Sequence, residues 1–397
     1  MGFNIWTDCP RIPITQLLEF IVDNRGKTVP TAPSGHKLIA TNCVTNNTLF
    51  PVYEKVRYLS DETYRTWFRA HPIPGDILFV NKGTPGRVCM VPDPIDFCIA
   101  QDMIALRADD SKIYNKYLFA VLRSREIQQQ IYNTNVGDVI PHFKKQFMDQ
   151  LLIPVPDRKV QEAIGDLYYA LSYKVEHNKK INDNLQQQAL AIFQQEFLRE
   201  GELPDGWTSG SLLDIANYLN GLAMQKFRPA DGESGLPVLK IKELRQGSCD
   251  ASSELCSPSI KPEYIVHDGD VIFSWSGSLL VDLWCGGTCG LNQHLFKVTS
   301  DKYPKWFYYA WTAHHLARFV AIAADKATTM GHIKREELAK AEVVIPDAAS
   351  MERIGGILQP MYDLIISNRI ENRKLAALRD TILPQLMSGE LDVSDLT

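Results

Sequence analysis

The sequence predicts an α+β protein made of two tandem domains, each followed by a long helix. The two helices are expected to pair as an antiparallel coiled coil about an approximate two-fold axis. Three observations lead there. The 397-residue chain repeats itself at a nearly constant offset, each copy opens on short β-rich runs behind Gly-Asp turns, and each closes on apolar residues at heptad spacing.

The repeat is read directly. Pro141-His142-Phe143-Lys144 matches Gly331-His332-Ile333-Lys334, and Ile153-Pro154-Val155-Pro156-Asp157 matches Val343-Val344-Ile345-Pro346-Asp347, both at an offset of 190 residues. The same register carries Gly165/Gly355, Asn178/Asn368, Asn182/Asn372 and Leu185/Leu375. Upstream, Gly75-Asp76-Ile77-Leu78-Phe79 pairs with Gly269-Asp270-Val271-Ile272-Phe273, and both copies end on Gly-Glu-Leu, at 201–203 and 389–391. Matches in one order at one spacing mean two copies of one unit, with boundaries at 1–156, 157–203, 204–346 and 347–397.

In each copy the Gly-Asp turn precedes a β-rich run, at residues 77–80 and 271–275. A helical stretch follows, over 114–132 and 303–323, with apolar residues three and four apart. The aromatic string Trp306-Phe307-Tyr308-Tyr309 with Trp311 has this helical spacing, which favours a packed core over stacked bases. Ile-Pro elements then close each globular part, because proline interrupts regular structure.

Asp157 and Asp347 stand at the N-cap positions of the long helices, where a carboxylate accepts backbone N–H bonds. Heptad positions follow: Ile164, Leu171, Asn178, Leu185 and Ile192 in the first helix, Ile354, Met361, Asn368, Leu375 and Ile382 in the second. A lone Asn in an apolar seam fixes register at some cost in stability. Two readings stand: the helices pair with each other, placing Asn178 near Asn368, or each seam packs on its own domain. A helix of about 40 residues runs about 60 Å at ~1.5 Å per residue. B-DNA repeats every roughly 34–36 Å, so such a spacer can present two heads to one duplex face.

Composition narrows the class only slightly. Net charge is −5 and hydrophobic residues make up 45%, as in ordinary soluble proteins. Residues 1–156 hold 17 basic against 15 acidic side chains and residues 204–346 hold 14 against 16, so the acidity lies mostly in the helices. No basic stretch followed by an apolar run opens the chain, and no uncharged apolar window is long enough to span a bilayer. The expectation is a cytoplasmic protein with reduced thiols and no membrane partner. Cys285, Cys289 and His294 match no common zinc spacing, and no metal is expected. No phosphate-binding glycine loop, dinucleotide turn or Asn/Asp-Pro-Pro-Tyr/Phe string occurs, so neither cofactor nor intrinsic catalysis is expected. Pro156-Asp157-Arg158-Lys159 superficially matches a nuclease motif, but it opens a helix, and its counterpart Pro346-Asp347-Ala348-Ala349 lacks the lysine.

Taken together, several features resemble the specificity subunits of type I restriction-modification systems. They are the Gly-Asp-Ile-Leu-Phe and Gly-Asp-Val-Ile-Phe strands, the Ile-Pro boundaries and Leu203-Pro204-Asp205-Gly206-Trp207. To these are added Asn372-Arg373-Lys374-Leu375, residues 379–384 and Ser388-Gly389-Glu390-Leu391. Each is short, but their order covers nearly the whole chain. One departure is Gln161-Glu162 and Met351-Glu352, where the family often has Glu-Gln. The resemblance implies two target-recognition domains, each reading one half of a split double-stranded DNA target, and helices that set the unread spacer. It also implies docking to two S-adenosylmethionine-dependent methyltransferase subunits that modify adenine, with ATP-dependent restriction and translocation subunits joining them.

Base reading needs donors and acceptors on loops, and phosphate contact needs basic side chains and backbone N–H groups. The first head offers Asn81, Lys82, Thr84 and Arg87 after its Gly-Asp strand. The second offers Ser274, Trp275, Ser276 and Ser278. These loops differ while their flanking strands match, as two heads with different half-sites require; an ordinary surface hairpin is the competing reading. Secondary candidates are Lys144 and Lys145, Lys334 and Arg335, and Lys240, Lys242 and Arg245, each of which can equally be a solvated face. Gln101 and Gln293 lie in matching strands as readers or core hydrogen-bonders. The rival functions are a decoy or orphan specificity subunit, a methyltransferase's recognition part and a dumbbell that binds proteins.

Overall fold

Gly75 and Gly269 take the left-handed backbone, with φ of 90° and 86°. The next residue locks each turn: Asp76 accepts the amide of Ile73 at 3.0 Å, and Asp270 that of His267 at 2.8 Å. From these turns run the strands Ile77–Val80 and Val271–Ser274, every residue of which is buried. The structure is a computed structural model and describes residues 3–24, 28–134, 141–199, 201–325 and 333–392; Gly331 and His332 of the repeat lie outside them. The chain divides into two compact units, 1–177 with 374–397 and 178–373.

In the first unit the strand order is Leu18–Val22, Met103–Ala108, Ile77–Val80, Val88–Met90, all antiparallel. A second sheet joins Arg57–Leu59, His36–Ile39 and Phe97–Ile99, the last two parallel. Arg11–Pro13 pairs with Leu152–Pro154. The second unit repeats this plan. Its first sheet is Asn217–Asn220, Leu295–Thr299, Val271–Ser274, Leu280–Leu283. Its second holds Leu236–Leu239 parallel to Cys289–Leu291, and Thr208–Ser211 pairs with Glu342–Ile345. The sequence repeat is therefore a repeat of topology.

The predicted helical stretches are each broken in two, as Asn115–Leu122 with Arg125–Thr134 and Lys305–His314 with Leu316–Asp325. Ser124 makes the first break: its hydroxyl donates to the Val121 carbonyl at 2.6 Å and accepts the Ile127 amide at 3.3 Å. The aromatic string packs as core, with Trp306, Phe307 and Trp311 buried against Phe193 and Phe197.

The long helices span Arg158–Phe197 and Ala348–Ser388. Asp347 caps the second, accepting the Ser350 amide at 2.7 Å. The start of the first is fastened by Gln161, which accepts the Tyr114 amide and donates to the Pro156 carbonyl. Gly165 lies hard against the helix Asn115–Leu122; a Cβ there would stand 2.6 Å from the Tyr117 amide nitrogen. No helix among the described residues is long and apolar enough to cross a membrane.

Within each unit the two helices pair with opposite directions. In the first, Ile164 and Tyr168 share a core with Leu383, Leu386 and Met387, and the Arg379 guanidinium lies over the Tyr168 ring. In the second, Ala189, Phe193 and Phe197 pack with Ile354, Leu358 and Ile365, and Glu196 pairs with Arg353 at 2.8 Å. Asn178 and Asn368 share one seam, and each bonds a residue one turn from the other. Asn178 donates to Asn372 at 2.9 Å and to Glu371 at 2.7 Å, while Asn368 donates to Asn182 at 2.9 Å. Of the heptad residues Ile164 and Ile354 are buried, whereas Leu171, Leu185, Ile192, Met361, Leu375 and Ile382 are half-buried. A strict seven-residue repeat drifts by about 20° per heptad on a straight helix. The buried line instead follows the helical turn through Tyr168, Ser172, Val175, Asn182, Ala189 and Phe193.

Removing one member of an asparagine pair leaves the other buried without its partner, at a cost of about 1–3 kcal/mol. Asn182→Ala is therefore expected to lower the thermal midpoint, and Asn182→Leu with Asn368→Leu to recover most of it; melting curves that leave Asn182→Ala unchanged contradict the assignment. Arg373 holds the Asp268 carboxyl below its ordinary range, and Arg353 does the same for Glu196. A carboxyl with a depressed folded pKa adds stability that is present above its unfolded pKa and lost as pH falls through the folded one. With ordinary carboxyls near about 4, the melting temperature is expected to hold from neutral pH to about 5 and fall below about 4. A melting temperature unchanged down to pH about 3 contradicts a stabilising role for these pairs.

Candidate nucleic-acid interface

The strand Ile77–Val80 opens into a loop held by backbone bonds from two distant segments. The Asn81 amide donates to the Asp102 carbonyl at 2.9 Å, the Phe143 amide to the Asn81 carbonyl at 2.8 Å, and the Gly83 amide to the Pro141 carbonyl at 3.0 Å. Lys82 and His142 form an isolated bridge. One ridge thus carries three stretches, 81–87, 101–102 and 141–145. Lys82, Lys144 and Lys145 are exposed on it, and Thr84 and Arg87 are half-buried. Lys145 reaches Asp23 at 3.4 Å.

The second unit builds the same junction from different residues. The Trp275 amide donates to the His294 carbonyl at 3.4 Å and the Ile333 amide to the Trp275 carbonyl at 3.0 Å. The Trp275 indole N–H donates to Asn220 Oδ1 at 3.0 Å. Ser276 Oγ bonds the His294 ring at 3.0 Å, and the Gln293 amide approaches the other ring nitrogen at 3.4 Å. Ser278, Lys334 and Arg335 are exposed. The helix Ile241–Gln246 adjoins this loop: a Cβ on Gly277 would lie 3.6 Å from Ile241 Cδ1.

Several sequence candidates are braces rather than presented edges. Asn81 has no exposed surface, and its amide donates to the Phe143 carbonyl at 3.2 Å. Ser274 is fully buried and donates to the carbonyls of Ser276 and Ser278, closing the turn. Ser276 is 1% exposed. Lys240 is tied to Glu254, and Lys242 donates to Ser252 at 2.7 Å and lies 3.5 Å from Asp250, so both are engaged with local partners. Arg245 is exposed in the same helix. The Asn81 bond joins segments 62 residues apart, which residue type alone does not reveal.

Other residues enter that sequence reasoning left out or weighed lightly. The turns 101–102 and 293–294 hold the candidate loops in both units, and Asn220 holds the second. Their signal was the polar pair Gln101-Asp102 and its counterpart Gln293-His294 between apolar strands. Among the described residues, Asn81 Oδ1, Thr84 Oγ1 and Gln101 Oε1 are buried polar atoms without a hydrogen-bond partner, and they cluster at this one junction. Unsatisfied buried polar atoms are uncommon in native proteins.

The cysteines flagged by the sequence are interior. Burial pushes the Cys285 thiol up to about 11, and Cys289 is buried beside Cys249. Among the described residues no group of three or more His, Cys, Asp or Glu is placed to hold a metal ion. Arg158, from the nuclease-like string, pairs with Asp110 and Glu162 at 2.9 Å each, at a helix start.

The type I restriction modification DNA specificity domain model matches this chain twice, over residues 31–187 and 204–378. The chain belongs to this family. Among its relatives, the MjaIX specificity subunit of Methanocaldococcus jannaschii is 22% identical over 344 residues, covering 81% of this chain and 79% of that one. The HindI specificity subunit of Haemophilus influenzae is 19% identical over 80% of this chain and 86% of its own. The EcoBI specificity subunit of Escherichia coli is 25% identical over 199 residues, covering 48% of this chain and 40% of its own. The crystal structure of the S subunit from M. genitalium shares the fold, with a TM-score of 0.61, 14% identity and 95% of each chain covered. The two junctions thus lie in the two family domains, on scaffolds whose strands correspond and whose loops do not.

Lys144→Ala removes an exposed cation from the first ridge. It is expected to weaken binding to all DNA sequences alike and to lower the slope of log affinity against log salt by about one. Fluorescence anisotropy of the assembled complex over a salt series measures this; an unchanged slope removes Lys144 from the interface.

Proposed function

We propose that the chain is the non-catalytic, sequence-reading subunit of a type I restriction-modification complex. Recognition domains at 1–156 and 204–346 each read one half of a split double-stranded DNA target, and the helical segments 157–203 and 347–397 space them. Two methyltransferase subunits and the restriction and translocation subunits supply all chemistry. S-adenosylmethionine and ATP are then ligands of those partners, and this chain takes no cofactor.

One observation carries the reading. The strands Ile77–Val80 and Val271–Ser274 occupy the same place in the same sheet order, yet they open into Asn81-Lys82-Gly83-Thr84 and Trp275-Ser276-Gly277-Ser278. A constant frame with divergent loops is what two different half-sites require, since bases are read by side chains and the frame only positions them. Lys82, Lys144 and Lys145 on one ridge, and Lys334 and Arg335 on the other, suit phosphate contact. Ser278, exposed, and the half-buried Trp275 and Arg87 are the side chains assigned in this reading to base edges or sugars.

Mapping methylated adenines across the genome tests this, in cells carrying the chain with its methyltransferase and in cells lacking only the chain. A split motif with an unread gap is expected only when the chain is present. Exchanging residues 81–87 for another loop is expected to alter one half of that motif. Identical maps with and without the chain contradict the reading, and a change in both halves contradicts the assignment of loop to half-site.

A further inference from the structure

The hairpin that carries the second reading loop is gripped at its open end by two arginines of the helix Ala348–Ser388. Arg369 Nη1 donates to Asp282 Oδ1 at 2.7 Å and to the Leu283 carbonyl at 3.0 Å. One turn further on, Arg373 makes a two-pronged pair with Asp268, both bonds at 2.7 Å, and donates to the Cys285 carbonyl at 2.6 Å. Asp268 also accepts the Gly287 amide at 2.8 Å, and the Gly269 amide donates to the Trp284 carbonyl at 2.6 Å. The turn before Val271–Ser274 and the exit from Leu280–Leu283 are therefore bound to each other and to the helix. The other end of the same two strands is the loop 275–278.

The second domain carries these groups as an addition to the shared plan. The repeat's own carboxylate, Asp76 or Asp270, is satisfied inside each sheet by Arg107 or Lys297. Asp268 and Asp282 are extra. By strand register their positions in the first copy hold Pro74 and Cys89, and the positions of Arg369 and Arg373 hold Lys179 and Asp183.

An arginine fork meeting a carboxylate on two bonds fixes orientation as well as distance. Arg373 makes this fork, and the single-nitrogen contacts of Arg369 add a second anchor one helical turn away. We propose that the Arg369–Arg373 clasp is a positioning device. It sets the angle at which the second reading loop is held on the spacer helix, and so determines which spacings between the two half-sites are accepted. The inference rests on the function proposed above and adds to it residues that touch no base.

The test is a methylated-adenine map from cells expressing the chain with its methyltransferase, as wild type, Arg373→Gln, Arg373→Lys, and Asp268→Arg combined with Arg373→Asp. Arg373→Gln is expected to keep both half-site sequences. Relative to the wild-type spacing, it raises methylation at sites one base pair longer or shorter by roughly tenfold, the worth of about one charge-assisted bond. The charge-swapped pair is expected to return the ratio toward wild type. A purely structural role lowers methylation at all spacings alike; an unchanged ratio overturns the inference, as does a change in the bases of either half-site. Arg373→Lys keeps the charge but loses the fork, so the ratio is still expected to move if Arg373→Gln does not accumulate. If the wild-type chain directs no split motif, the underlying reading falls and this inference falls with it.

Discussion

Two amides in the seam of the second unit, Asn182 and Asn368, meet at 2.9 Å with almost no exposure, and Asn178 reaches Asn372 one turn away. An amide placed in an apolar seam is costly unless it finds a partner, so only a register that pairs them is tolerated. By the 190-residue repeat, Asn178 corresponds to Asn368 and Asn182 to Asn372, so the two bonds join non-equivalent members of two equivalent pairs. That pattern is what antiparallel pairing of two copies demands. Once it is set, Phe193 and Phe197 are placed to complete the aromatic core around Trp306, Phe307 and Trp311.

Much of this was legible in the sequence. The repeat, the two sheets behind Gly-Asp turns and the two long helices follow from turn chemistry and periodicity, which act over a few residues. The helices begin at Arg158 and Ala348, directly after the aspartates read as caps. The seam was less legible. A heptad line and a true helical line diverge slowly, so Ile164 and Ile354 lie on both, whereas Leu185 and Ile192 fall to the side that Ala189 and Phe193 occupy instead.

The candidate interface was legible in outline only. Loop divergence at 81–87 and 274–278 pointed to two junctions that the structure braces in corresponding ways, and Lys144 and Lys334 lie beside them because Phe143 and Ile333 bond the loops. Residue type did not show that Ser274 is spent on the loop's own closure and Asn81 on the Phe143 carbonyl, or that Lys240 and Lys242 already have acidic and hydroxyl partners. Nor did it show Asn220 under the Trp275 indole. The Asn81 and Trp275 bonds span 62 and 55 residues of chain, where local pattern carries no information; the Ser274, Lys240 and Lys242 bonds are local, within 14 residues.

Register in the helical seam is the claim from which the rest follows, and cysteine pairs test it most directly. Asn182→Cys with Asn368→Cys should cross-link readily under mild oxidation in the purified complex, seen as a shifted band in a non-reducing gel of protease-nicked chain. Asn178→Cys with Asn368→Cys should not. Efficient cross-linking of the second pair and none of the first would mean that the helices meet one turn out of the register described, and would contradict the account.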